Sequence, residues 1–271
     1  QPLVAEGGNV AVIRNTVRRA QEAAEHLRNT LGPAVEVTVA HSHFLSVDRA
    51  RKDRRLIETY GRDGARPRGS VVVATQVIEQ SLDIDFDLMV SDLAPMDLLL
   101  QRIGRLHRHD RGERPSLVRG PRLVMTAVDQ TGDVPVFERG AKMIYGAALL
   151  FCTLAALAGR DHVNLPADIA PLVEQVYADD SAFIPDAWMP SYQEAARAHR
   201  EHLREQERSA QSFTIDRVRA GQPTLMGWLA APDVDPELNL PGRGTVRDSE
   251  GDTLEVIVLQ RGPHGILQTP T

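Results

Sequence analysis

A chain of 271 residues, 42% hydrophobic and 25% charged, can bury one large or two modest cores, and it holds no apolar run near the roughly 18 to 20 residues a membrane helix requires. Its single cysteine, Cys152, excludes an internal disulfide and a cysteine zinc site, suits a cytoplasmic protein, and sits in an apolar stretch (GAALLFCTLAALAG) where an inert buried thiol is expected. The net charge of −6 is unevenly divided: residues 1–135 hold 19 Lys and Arg against 18 Asp and Glu, and residues 136–271 hold 12 against 19, so contacts with a phosphate backbone are expected in the first part.

Up to about residue 127, short apolar runs alternate with helical patterns, the signature of an α/β fold with a parallel sheet flanked by helices. Residues 9–14 (NVAVIR) read as a strand, 17–31 as a helix stopped by Gly32 and Pro33, and 35–40 as the next strand. A second helix is predicted over 47–60, with Ser46 as its N-cap and Gly61 at its end. Residues 71–74 (VVVA) are continuously apolar, as a strand covered on both faces must be, and 88–91 and 123–128 complete the set.

After Pro135 the pattern turns helical, with predicted helices over 137–158, closed by Gly159, and over 166–177. Residues 188–212 contain a charged run (YQEAARAHREHLREQERSAQ) that reads as a solvated or bridging helix. A proline- and glycine-rich loop over 232–244 and a strand over 253–260 (TLEVIVLQ) point to a small mixed domain at the end of the chain. The expected organisation is an α/β domain over 1–135, a helical linker over 136–185 and an accessory domain over 186–271.

Chemistry-bearing residues concentrate in two segments. Residues 74–87 (ATQVIEQSLDIDFD) leave a buried strand at its carboxyl edge, where open parallel sheets place their ligand sites. Asp83 there can accept from ribose hydroxyls, and a backbone N–H near Ser81 can reach a phosphate oxygen. Taken alone, the segment reads equally as an acidic loop capping the next strand.

The second segment, 101–108 (QRIGRLHR), falls in a predicted helix from about residue 97 to just before Gly112. At about 100° per residue, Gln101, Arg105 and Arg108 share a narrow arc with Arg102 beside it, while Leu99, Ile103 and Leu106 lie opposite. One stripe can anchor to the sheet and the other present guanidiniums, whose planar forks bind phosphate oxygens bidentately. A solvated basic face is the alternative.

In their order and spacing, the two segments resemble motifs V and VI of superfamily 2 helicases. The wording ATQ, EQSLD, DFD resembles one family in particular, the CRISPR-associated helicase-nuclease of type I interference. Upstream VIRNTVRRAQE and AHSHF look like that family's motif IV region, and LPADIAPLVEQVYADD and TVRDSEGDTLEVIVLQRG are more loosely similar to its linker and accessory domain.

The resemblance implies a second RecA-like lobe of an ATP-dependent, single-stranded-DNA translocase. Arg105 and Arg108 would be arginine fingers toward ATP, and Gln101 would orient the γ-phosphate or attacking water. Asp83 would contact the ribose with Ser81 nearby, and Arg102 would brace the interface between lobes beside the nucleotide. Thr75 and Gln76 would touch the tracked DNA strand, with Asn15, Thr16, His41 and His43 as further DNA-side positions. ATP with magnesium would be held mainly by a first lobe, since no Walker A segment or DEAD-like box is present here. The chain opens at Gln1 without an initiator Met, and is expected to lack a nuclease domain and first lobe that the intact protein carries. The resemblance also implies an RNA-guided surveillance complex as partner.

Other readings stay open at this level: a non-catalytic interaction module recruited through the acidic second part, or the second lobe of another superfamily 2 helicase with RNA as its track. No metal site is expected. His41 and His43 lack completing ligands, and the His109-Asp110 dipeptide lacks the further ligands a histidine-aspartate nuclease needs.

Overall fold

A computed structural model describes residues 2–211 apart from 80, 81 and 179, together with two short paired strands near the end of the chain, Gln260–Arg261 and Leu267–Gln268. One compact unit spans Gln1–His199, and Arg200–Thr271 form a second. The loop expected over 232–244 lies outside the described residues, as does all of the strand expected over 253–260 except Gln260.

After a short helix, α1 (Pro2–Ala5), the first unit is built on five parallel strands: β1 (Asn9–Ile13), β2 (Glu36–Ala40), β3 (Ser70–Ala74), β4 (Leu88–Asp92) and β5 (Arg122–Thr126), in the order β2-β3-β1-β4-β5. Period-two alternation sends Val10, Val12, Val71 and Val73 to one face and Ala11, Ile13, Val72 and Ala74 to the other. On the first face α2 (Val17–Leu31) packs through Ala20 and Ala24; on the second, α3 (Ser46–Tyr60) packs through Leu56 and Tyr60. Both faces are covered, which is why β1 and β3 are buried at every position and apolar beyond their first residues, Asn9 and Ser70, which hydrogen-bond to each other at 2.6 Å. Each buried Val or Ile contributes about 1.5–3 kcal/mol.

Two helix ends behave differently from each other. Gly32 sits at φ 72° and donates its N–H to Arg28, closing α2 at the predicted stop. Ser46, expected as the N-cap of α3, is its first helical residue instead, and Leu45 occupies the cap position with no side-chain cap hydrogen bond.

The predicted helix over 137–158 is two helices, α5 (Arg139–Tyr145) and α6 (Ala147–Leu157), bent by 104°. Gly146 between them has φ 77° and ends α5 by donating to Lys142, a turn that apolar periodicity does not register. The expected strand over 123–128 likewise divides: β5 ends at Thr126, Ala127 has φ 64°, and β6 (Val128–Asp129) pairs antiparallel with β7 (Val136–Phe137).

The helical segment is not a free arm. Phe137, Leu150, Phe151 and Leu154 share a core with Leu93 and Leu99, while Cys152, Ala156, Leu172 and Val176 share another with Met96 and Leu100. Leu99 and Leu100 belong to α4 (Met96–Ile103), and Leu172 and Val176 to α7 (Ile169–Tyr177), so α4 lies between sheet and helices. The charged helix α8 covers Met189–Gln211. No single helix among the described residues is long and apolar enough to cross a membrane.

Candidate functional site

The carboxyl edge of the sheet is where the first segment begins. After Ala74, Thr75 leads into a short 3-10 turn, Gln76–Ile78, and the chain then runs extended from Leu82 back toward the start of β4. Residues 82–87 alternate strictly between apolar and acidic. Leu82, Ile84 and Phe86 are buried against Leu56, Tyr60 and Leu106, as a half-buried extended segment requires.

The three aspartates of this segment have separate fates. Asp83 is 57% exposed. Asp85 and Asp87 are buried and surrounded by guanidiniums: Asp85 accepts from Arg66, Arg111 and Arg114, and Asp87 from Arg66 and Arg114, at 2.6 to 3.3 Å. Buried carboxylates survive ionised only with such partners. This ion cluster was not anticipated from the sequence. Its signal is the alternation of LDIDFD together with arginines 19 or more residues away, and the pairing itself is purely tertiary.

The second segment does not continue as a helix. α4 ends at Ile103, and the chain turns through Arg105 N to Arg102 O at 2.9 Å and Leu106 N to Ile103 O at 2.8 Å. Phe86 takes over as hydrogen-bond partner: its N–H donates to Arg105 O at 2.9 Å, and its carbonyl accepts from His107 N at 3.1 Å. His107 has φ 46°, which a continuing helix would not allow. Asp85 then accepts the backbone N–H of Arg108 at 2.6 Å and of His109 at 3.4 Å. The helical arc drawn through Gln101, Arg105 and Arg108 is therefore corrected: only Gln101, which is exposed, stands on the helix, and the extended acidic segment splints the loop that carries the two arginines.

Both arginines nonetheless face the first segment. Arg105 donates from Nη2 to the carbonyl of Glu79 at 2.9 Å and lies half-buried beside Ile78. Arg108 donates from Nε to Asp83 Oδ1 at 2.5 Å and stays 40% exposed. The Arg108 hydrogen bond, ahead of any other influence, holds the Asp83 carboxyl below its ordinary range. Burial, followed by the charge of Arg108, lowers the Arg105 guanidinium from its ordinary value, but it remains a cation. The arrangement is an exposed carboxylate and two guanidiniums on one rim, with polar atoms suited to ribose and phosphate. Ser81 lies outside the described residues.

Arg102 departs from its expected place beside a nucleotide. It is fully buried, and its guanidinium is committed inward: Nε to Glu79 Oε1 at 2.7 Å, Nη1 to Ser91 Oγ at 2.8 Å and to Asp92 O at 2.9 Å, and Nη2 to Asn15 Oδ1 at 3.3 Å. These partners come from the turn after β3, from β4 and from the segment after β1, so its position beside Gln101 on α4 does not reach solvent. Burial raises the Glu79 carboxyl, and the charge and hydrogen bond of Arg102 oppose that rise.

The expected DNA-side residues do gather at the carboxyl edge of the sheet, but with unequal access. The side chains of Asn15, Thr75 and His41 are buried, at 1, 2 and 5% exposure, and are corrected from direct strand contacts to internal supports of the edge in this conformation. Asn15 donates to Leu93 O at 2.8 Å, and its backbone N–H reaches Asp92 Oδ2 at 3.1 Å. Asp92 also takes Arg14 and Arg19; burial opposes its ionisation, and these hydrogen bonds overcome the penalty and hold its carboxyl low. Gln76, half-buried, donates to Asn15 O at 3.0 Å and to Tyr145 Oη at 2.9 Å. Thr16 caps α2 by accepting from Arg19 N.

His41 stacks on Phe44 with centroids 4.1 Å apart, Lys52 lies 4.3 Å from the same ring, and His43 is exposed. Burial lowers the His41 imidazole, which leaves it neutral at pH 7. Of the His109-Asp110 pair, His109 is buried with Nε2 3.4 Å from Asp83 Oδ1, a neighbour of the arginine rim. Cys152 is buried in the helical core, where burial raises its thiol, in keeping with an inert residue.

Comparison with known proteins places these observations. Residues 6–111 match the family model described as CRISPR-associated nuclease/helicase Cas3, C-terminal. The CRISPR-associated nuclease/helicase Cas3 of Streptococcus thermophilus is 39% identical over 266 residues, 94% of this chain and 27% of that protein. The Escherichia coli (strain K12) CRISPR-associated endonuclease/helicase Cas3 is 44% identical over 110 residues, 41% of this chain and 12% of that protein. Among solved structures, T. fusca Cas3 with ATP aligns with TM-score 0.70 and 37% identity over 78% of this chain and 24% of its own. A component of a CRISPR RNA-guided surveillance complex in a pre-nicking state aligns with TM-score 0.61 and 36% identity, covering 76% of this chain and 25% of its own. The chain spans about a quarter of the length of the first of these relatives.

Proposed function

From the premise that residues 6–111 are a Cas3-like carboxyl-terminal helicase domain, we propose that this chain is the second motor lobe of an ATP-dependent single-stranded-DNA translocase that works with a nuclease in type I CRISPR interference. The observation that carries the reading is the convergence of Arg105 and Arg108 on the 78–83 segment, with Asp83 and Arg108 exposed at the rim. In this proposal a first lobe holds ATP and magnesium, and closure brings the triphosphate to that rim. Arg108 exchanges Asp83 for a phosphate oxygen, which frees the carboxylate for the ribose hydroxyls. Arg105, fixed by backbone carbonyls, meets the developing charge on the transferred phosphoryl group with little reorganisation. Gln101, exposed on the last turn of α4, orients the γ-phosphate or attacking water.

On the same reading, the carboxyl edge around Thr16, His43 and Gln76 follows the backbone of the tracked strand, with Asn15, Thr75 and His41 holding that edge from within. Backbone and stacking contacts suffice, because translocation needs no sequence preference. The surveillance complex delivers the strand, and residues 186–271 act as an accessory domain.

The test is steady-state ATP hydrolysis with and without single-stranded DNA, on the full-length protein containing this chain and on the 271 residues alone. Stimulated turnover is expected from the former and none from the latter. DNA-stimulated hydrolysis by the 271 residues alone, or an intact protein indifferent to both ATP and DNA, would overturn the proposal.

A further inference from the structure

Tyr145 lies outside the parallel sheet, at the last position of α5, and its place there is firmly set. Glu138 caps the helix by accepting from Ala141 N at 2.9 Å, and Gly146 immediately beyond it turns the chain at φ 77°. The ring packs in the core shared by Leu93, Leu99 and Phe151. Its hydroxyl oxygen accepts from Gln76 Nε2 at 2.9 Å and from Arg102 Nη2 at 3.4 Å. One phenol oxygen on the helical segment therefore touches the first residue of the turn after β3 and the buried arginine of α4.

From that atom, direct contacts lead to the arginine rim. Arg102 is ion-paired with Glu79 at 2.7 Å, and the Glu79 carbonyl accepts Arg105 Nη2 at 2.9 Å. Gln76 spends both amide protons, one on Asn15 O and one on Tyr145, so the phenol fixes which way its amide faces. The network is buried or half-buried, where a lost partner leaves polar atoms unsatisfied and neighbours shift together.

We infer that Tyr145 is a positioning residue: its hydroxyl sets Gln76 and Arg102 together, and through them makes the response of ATP turnover to DNA depend on where the helical segment sits. This rests on the motor reading above, but the positioning itself does not. Tyr177, more exposed, supplies a control for loss of a phenol hydroxyl bonded to α4. It is also on a packed helix and also binds α4, through Asp97 at 2.6 Å, yet it touches neither Gln76 nor Arg102.

The experiment compares Tyr145→Phe and Tyr177→Phe in the full-length protein, by amide hydrogen exchange and by ATP turnover titrated with single-stranded DNA. For Tyr145→Phe, exchange at 75–79 and 102–105 should quicken about 5-fold, as expected for one lost buried hydrogen bond. The DNA concentration for half-stimulation should rise by a similar factor, while unstimulated turnover and the KM for ATP hold. Tyr177→Phe should leave both the exchange at those segments and the DNA titration in place. Unchanged exchange in Tyr145→Phe overturns the positioning role, and quickened exchange with an unchanged DNA titration overturns the coupling. A wild-type protein that ignores DNA removes the motor reading and the coupling with it, while exchange still decides whether Tyr145 positions its neighbours.

Discussion

Arg108 and Asp83, 25 residues apart, are joined by a hydrogen bond of 2.5 Å between Nε and Oδ1, and both remain open to solvent. An ion pair so exposed adds at most about 1 kcal/mol to stability. Arg108→Ala should therefore leave the denaturation midpoint nearly unmoved, yet lower DNA-stimulated ATP turnover about 10³-fold, as loss of an arginine finger does. A variant with near-wild-type turnover would remove Arg108 from the catalytic set.

Arg105 is held by main-chain atoms, the backbone carbonyls of Ile78 and Glu79. Arg105→Ala should reduce turnover by a similar factor of about 10³. Arg105→Lys should recover little of it, because an ammonium cannot span a carbonyl and a phosphate with a planar fork. Equal turnover for the lysine variant and wild type would show that only the charge matters there.

Arg102 is the reverse case. Arg102→Met strands the buried Glu79 carboxylate and should cost about 3–5 kcal/mol in chemical denaturation. Adding Glu79→Leu should return much of that loss, since an apolar pair of matching volume can replace a buried ion pair. Denaturation of the double variant no better than of the single one would mean that Ser91, Asn15 and Asp92 are the partners that count.

Asp85 supports the arginine loop by accepting two of its backbone N–H groups while holding Arg66, Arg111 and Arg114. Asp85→Asn keeps the shape and removes the charge. It should destabilise the fold by about 3–5 kcal/mol and loosen exchange at 105–114 before other parts of the sheet. Uniform exchange across the lobe would argue against a local splint.

Asp92 gives the pH dependence. Its folded-state pKa lies below the ordinary 3.8, so the unfolded chain binds the proton more readily. The stabilisation from its Arg14 and Arg19 contacts is fully present above about pH 4 and is lost as pH falls through the depressed value. Stability of Asp92→Asn should be lower at pH 7 and should fall less steeply on acidification below about pH 4, measured by denaturant titration at each pH.

Much of this lobe is legible in the sequence because its information is local. The apolar runs at 9–14 and 71–74 and the helix from Val17 to Gly32 declare themselves by period and by a glycine stop, and motif wording marks Asp83, Arg105 and Arg108. Sequence periodicity cannot see a hydrogen bond supplied from elsewhere in the chain. Phe86 and Asp85 take over the backbone of Arg105, His107 and Arg108 and end the helix at Ile103, nine residues short of Gly112, so an extended strand of acidic residues presents the arginines where a helical face was expected. The same holds for Arg102: its place beside Gln101 on the helix is local information, whereas Glu79, Ser91, Asn15 and Tyr145, brought in from elsewhere in the chain, decide that its guanidinium is buried.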